Sequence, residues 1–168
     1  MLFQNTGSWT GNQIYKEQLD EGFEDCQAQF THVAVMGGGP FVVEAVYPNS
    51  KETNISKAYR GRQIRIVTFD YPEYETKHRY HVGYNAGIQN NLKYGYISLL
   101  YWKLRDLIPI SNNFLAKHKA PFCSMLALSA LYRQIPKAHG MVGTDPEESM
   151  PAYLSQACFK PIWEGVIP

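Results

Sequence analysis

The pattern of apolar and polar positions gives its clearest β signal in one place, which reads as a hairpin. His32–Met36 is an apolar, β-branched run, Gly37-Gly38-Gly39-Pro40 punctuates it, and Phe41–Val46 is a second such run. Two apolar runs about a short Gly/Pro turn predict paired antiparallel strands. Gln63–Phe69 (QIRIVTF) alternates polar with apolar and predicts a third strand. Leu2-Phe3-Gln4 is a short strand candidate, ended by Asn5-Thr6-Gly7. Between them, Ile14, Tyr15 and Leu19 fall at helical spacing, which predicts a helix over Gln13–Leu19 capped by Ser8 or Thr10. Glu21–Gln29 reads as a loop or a frayed continuation of it.

The second half is helical in period. After a Tyr-, Pro- and Glu-rich turn at Asp70–Glu75, helices are expected over Tyr80–Asn90 and Ile97–Leu107, the latter interrupted by Pro109 and Ser111-Asn112-Asn113. Pro121 precedes Phe122–Arg133, where Met125, Leu126, Leu128, Ala130, Leu131 and Tyr132 mark a mostly buried helix that Pro136 stops. The tail from Pro146 to Pro168 reads as a loop, a short helix and an extended end. This succession predicts an α+β fold, a small antiparallel sheet packed against helices, in a single domain over 1–168.

Composition narrows the function classes. Of 168 residues, 45% are apolar and 18% charged, a globular balance. Net charge is +1 with no basic stripe, so nucleic-acid binding has no electrostatic support. No apolar run approaches the roughly 18 residues of a membrane span, and the first residues lack a signal peptide's basic and apolar regions. A cytoplasmic protein is the expectation for the chain as given, with a longer exported precursor or a phage origin left open. Three cysteines without repeated spacing argue against a disulfide framework or a zinc site. The pair His78 and His81 has no third ligand nearby in sequence, and Gly37–Pro40 lacks the Lys-Ser/Thr of a phosphate loop. No cofactor and no metal are implied.

Cys123 stands apart from Cys26 and Cys158, because it opens a helix. A helix N-terminus with an imidazole beside it lowers a thiol pKa, and the thiolate is the nucleophile. His32 begins the hairpin, and Glu44 follows on its second strand, close enough in register to share a face. A carboxylate there would orient the imidazole and favour its charged form. The aromatic residues Phe41, Tyr47, Tyr94, Tyr96 and Trp102 could wall a cleft or fill the core.

The segments carrying these residues also carry a resemblance. Leu2-Phe3 with Thr6-Gly7, Thr31-His32-Val33-Ala34, Val43-Glu44-Ala45, Tyr94, Phe122-Cys123-Ser124 and, more weakly, Pro151–Phe159 are similar to the pattern of the circularly permuted NlpC-type papain-like proteins, the YiiX/YaeF-like group. The resemblance spans nearly the whole chain and implies a papain-like core in permuted order, with the His strand ahead of the Cys helix. It implies Cys123 as nucleophile, His32 as general base and acid, and Glu44 as the orienting acid. Tyr94, Phe122 and Ser124 are then expected to contact substrate. Met125 stands where the family usually has Glu, and Gly95 where it usually has Asp after the tyrosine.

The expected function is a cysteine hydrolase, an amidase or peptidase working through an acyl-enzyme on cell-wall or other small peptides. Two alternatives stay open: a thioester or lipid acyl hydrolase or acyltransferase on the same fold, and a non-catalytic binding or structural module. The expected partner is a peptide or acyl small-molecule substrate, with no nucleic acid and no membrane span; the oligomeric state is open. The oxyanion of such a reaction needs the Cys123 N–H and one further donor that the sequence does not place.

Overall fold

β-Branched residues at alternate positions and a glycine with positive φ in the turn fold the hairpin as expected. The computed structural model describes residues 1–4, 7–71, 76–94, 122–146, 149–155 and 158–168. Strand β2 (His32–Met36) turns through Gly37–Pro40, where Gly39 has φ +57°, into β3 (Phe41–Ala45). β1 (Leu2–Gln4) lies on the other side of β2, and β4 (Ser50–Asn54), β5 (Gln63–Phe69) and β6 (Phe159–Val166) complete an antiparallel sheet in the order β4-β3-β2-β1-β5-β6. The fold is α+β.

Helix α1 (Trp9–Asp20) starts at Ser8, whose hydroxyl accepts from the Gly11 N–H at 3.0 Å. The segment expected as a loop after it contains a short helix, α2 (Asp25–Ala28), closed by a reciprocal Glu24–Gln27 capping box. α3 (Ile55–Ala58) is capped by Asn54, α4 spans Thr76–Gly87, and α5 spans Cys123–Gln134, ending just before Pro136. α6 (Ala138–Val142) and a 3-10 turn (Pro151–Ser155) lead into β6. The helix expected over Ile97–Leu107 lies outside the described residues, as do Tyr96 and Trp102.

Period-two alternation sorts the sheet into two faces. Val33, Val35, Val43, Ala45, Val67 and Phe69 pack under α4 and α5, where Leu126, Leu128 and Leu131 are fully buried. Each such leucine contributes on the order of 2 kcal/mol. Leu2, Ala34, Val42 and Ile64 point to the opposite face and pack with Ile55 and Tyr59. Gly83 lets α4 lie against the hairpin end: a Cβ there would stand 2.8 Å from the Met36 carbonyl oxygen. Among the described residues no helix is long and apolar enough to cross a membrane.

A buried amide fixes the approach to β2. Gln18, on α1, is fully buried; its Nε2 donates to the Ala28 and Phe30 carbonyls at 2.6 and 3.1 Å, and its Oε1 accepts from the Ala152 N–H at 2.8 Å. Gln18→Leu keeps the volume and removes the side-chain partner of the buried Ala28 carbonyl and Ala152 N–H. It is expected to cost about 3 kcal/mol, read as a lower urea midpoint with an unchanged slope.

Candidate active site

Three side chains from three elements meet at one end of the sheet. His32 is the first residue of β2 and Glu44 the fourth of β3. β2 and β3 pair as Val35↔Val43 and Met36↔Val42. The same register places Glu44 opposite Ala34, hence diagonal to His32 on one face, within reach of a long side chain. His32 Nε2 donates to Glu44 Oε2 at 2.9 Å. Both residues are buried, at 8% and 5% exposure. The same carboxylate oxygen accepts from the Tyr59 hydroxyl at 2.6 Å. Thr53 Oγ1, buried and without a hydrogen bond of standard geometry, sits close enough to add a small further lowering to the Glu44 pKa.

Cys123 approaches from the other face. It is the first residue of α5, packed among Val33, Val35 and Val43, and only 4% exposed. It and His32 influence one another's titration, and the paired stretch of β2 and β3 ends short of both. Val35 pairs with Val43 and the Gly37 N–H donates to the Phe41 carbonyl at 3.0 Å, so odd-numbered N–H groups in this segment point toward β3. The next one back, Val33 N–H, lies beyond the paired residues of β2 and β3 and helps lower the Cys123 thiol. With Nε2 committed to Glu44, Nδ1 is the nitrogen left to the sulfur.

The electrostatics of the three groups agree with one another. Burial pushes the Cys123 thiol up, but hydrogen bonding to His32, its charge, and the N–H groups of Val33 and Ser124 outweigh burial and lower it. Burial likewise pulls the imidazole down; its bonds to Cys123 and Glu44, with their charges, raise it to about 9. Glu44, which burial would raise, is brought down to about 2, chiefly by His32. Tyr59 is pushed up by burial and by the Glu44 charge, so it stays a donor. The lowered thiol, the raised imidazole and the lowered carboxyl thus each favour the charged form of the other two.

The residues expected to contact substrate divide. Ser124 does not offer its side chain: it is fully buried and its hydroxyl donates to the Ser149 carbonyl at 2.8 Å, tying α5 to the segment before the 3-10 turn. What Ser124 gives the site is its N–H. Phe122 is the N-cap residue of α5, buried at 4% exposure, and shapes the helix start. Tyr94 is half-buried against the core that holds Cys123, with its N–H on the Pro48 carbonyl at 2.8 Å. Phe41 and Tyr47 are exposed. Of the other cysteines, Cys26 is exposed and Cys158 has a thiol raised by burial.

Sequence reasoning missed Tyr59 and the Val33 N–H. Tyr59 follows a helix of four residues that carries no period, and its position depends on β4 folding back. The freed N–H depends on where a ladder ends. No family model matches the chain, nor does any curated protein or solved structure.

Proposed function

We propose that this protein is a cysteine hydrolase that cleaves amide bonds through an acyl-enzyme on Cys123. The observation that carries the reading is the contact of a helix-start thiol with an imidazole whose far nitrogen is held by a buried carboxylate. The thiolate attacks the carbonyl carbon, a C–S bond forms, and the carbonyl electron pair moves to oxygen. As that oxyanion collapses, the C–N bond breaks and the imidazolium gives its proton to the leaving amine. Water then attacks the thioester while neutral His32 takes its proton. The C–S bond breaks, the acid is released, and the thiolate–imidazolium pair is restored. Glu44 keeps the ring oriented and its charged form stable throughout, without itself being protonated.

The test is the pH dependence of two reactions of Cys123. Alkylation by iodoacetamide needs only the thiolate, so its rate is expected to reach its plateau below the ordinary thiol range and ahead of Cys26 and Cys158. Acyl transfer also needs the imidazolium proton. Because the His32 pKa is raised, that proton is present below about 9 and lost above it, so amide hydrolysis falls through about 9 while alkylation does not. A Cys123 that alkylates no faster than Cys26 sinks the proposal. Peptide and acyl-chain electrophiles compared on Cys123 by mass spectrometry read the bond class, a thioester or lipid substrate appearing as preference for the acyl chain.

A further inference from the structure

Tyr59 is buried in the apolar cluster of Leu2, Ala34, Val42, Ile55 and Ile64, on the sheet face opposite α5. Packing alone does not call for a tyrosine there, since phenylalanine fills the same space without a hydroxyl to satisfy. The hydroxyl donates to Glu44 Oε2 at 2.6 Å. Main-chain bonds fix the approach of the ring. The Tyr59 N–H donates to the Ile55 carbonyl at 2.9 Å, and the Tyr59 carbonyl accepts from the Arg62 N–H at 3.0 Å. The Ile55 N–H donates to the Pro40 carbonyl at 2.8 Å. α3 is thereby hung from the turn of the hairpin whose strands carry His32 and Glu44.

Glu44 Oε2 takes two donors, His32 Nε2 and the Tyr59 hydroxyl. The last torsion of a glutamate is soft, so one donor alone leaves the carboxylate free to rock. Two donors converging on one oxygen from different elements hold it. An ionised carboxylate only accepts, so the sense of the Tyr59 bond is fixed as well. The consequence reaches the imidazole. A neutral ring carries a single N–H, and an oxygen held against Nε2 keeps the proton there and the lone pair on Nδ1. That tautomer is the one able to take a proton from water on the thiol side of the ring. We propose that Tyr59 is a positioning residue, which through Glu44 holds neutral His32 as the Nε2–H tautomer that acts as base on the acyl-enzyme. Tyr59 touches no reacting atom, and the proposal rests on the hydrolase reading above.

Tyr59→Phe tests it on the two halves of one reaction. With p-nitrophenyl acetate the Cys123 sulfur joins the acetyl carbon and p-nitrophenolate leaves without needing a proton. Water oxygen then joins that carbon, one water proton goes to neutral His32, and the C–S bond breaks to release acetic acid. Tyr59→Phe is expected to leave the first half, and iodoacetamide alkylation of Cys123, within about threefold, and to slow the second by about tenfold. ¹⁵N NMR of His32 above pH 9, where the ring is neutral, should show Nε2–H in the wild type and mixed tautomers in Tyr59→Phe. In a Glu44→Ala background the same substitution should change turnover by less than about twofold, because its effect passes through that carboxylate. Equal slowing of both halves with the tautomer unchanged overturns the proposal and leaves Tyr59 a packing role. So does a tenfold loss in the Glu44→Ala background, or a Tyr59→Phe protein that matches the wild type. If Tyr59→Phe does not fold, the wild-type protein decides, since a neutral His32 found as Nδ1–H overturns the assignment. Wild-type Cys123 that is alkylated but never acetylated overturns the hydrolase reading, and this role with it.

Discussion

Cys123→Ala is expected to abolish hydrolysis, by about 10⁴-fold or more, without unfolding the protein. The size follows from the role: the sulfur forms the bond that carries the acyl group, and no neighbour can replace it. Cys26 lies exposed on α2 and Cys158 has a thiol raised by burial, and Cys123 is the cysteine coupled to His32. Folding should survive because the thiol is small and alanine keeps its place at the head of α5. The substitution also removes the partner that helps raise the imidazole pKa, so His32 should titrate below about 9 in Cys123→Ala. Histidine NMR titration reads that shift, and progress curves on a peptide amide read the activity. Hydrolysis persisting in Cys123→Ala would place the chemistry on other residues.

The parts of this site visible in the sequence are those set by short-range rules. The His32–Met36 and Phe41–Ala45 hairpin follows from apolar runs about a glycine turn, and once it is drawn, Glu44 falls on the face of His32. Cys123 at a helix start follows from Pro121, the apolar period after it and Pro136. The unreadable parts are set by tertiary pairing. β4 is Ser-Lys-Glu-Thr-Asn, too polar to read as a strand, and becomes one because β3 offers it a full ladder from Phe41↔Asn54 to Ala45↔Ser50. That edge carries the chain to Tyr59, and thus supplies the second donor to Glu44. β6 was legible only as an extended end, since Gln63–Phe69 must first exist to receive it. The place where β2 and β3 stop pairing has no sequence signal at all, and the end of that ladder is where the Val33 N–H falls.

Glu44→Ala is expected to be the most destabilising change at the site, by about 3–5 kcal/mol, because it orphans two buried donors and one of them is charged. His32 Nε2 and the Tyr59 hydroxyl both end on Glu44 Oε2, and each of the three residues is buried. Glu44→Gln separates charge from shape: it can still accept a hydrogen bond but no longer favours the imidazolium, so the thiolate loses its proton-bearing partner and hydrolysis falls by about 10²–10⁴-fold. The stability of Glu44→Gln relative to wild type should then depend on pH in a defined way. In the wild type the carboxyl pKa is depressed from 4.5 to about 2, so the stability it contributes is present above 4.5 and is lost as pH falls through about 2. The imidazole pKa is raised from 6.5 to about 9, so its share is present below 6.5 and is lost as pH rises through about 9. The gap between wild type and Glu44→Gln is therefore widest between 4.5 and 6.5, and it narrows toward either extreme. Urea unfolding at three pH values, one in that window and one beyond each end, measures it. A gap that is constant across them would mean that Glu44 serves the site by shape alone, and the thiolate would then owe its stability to the helix start and the Val33 N–H.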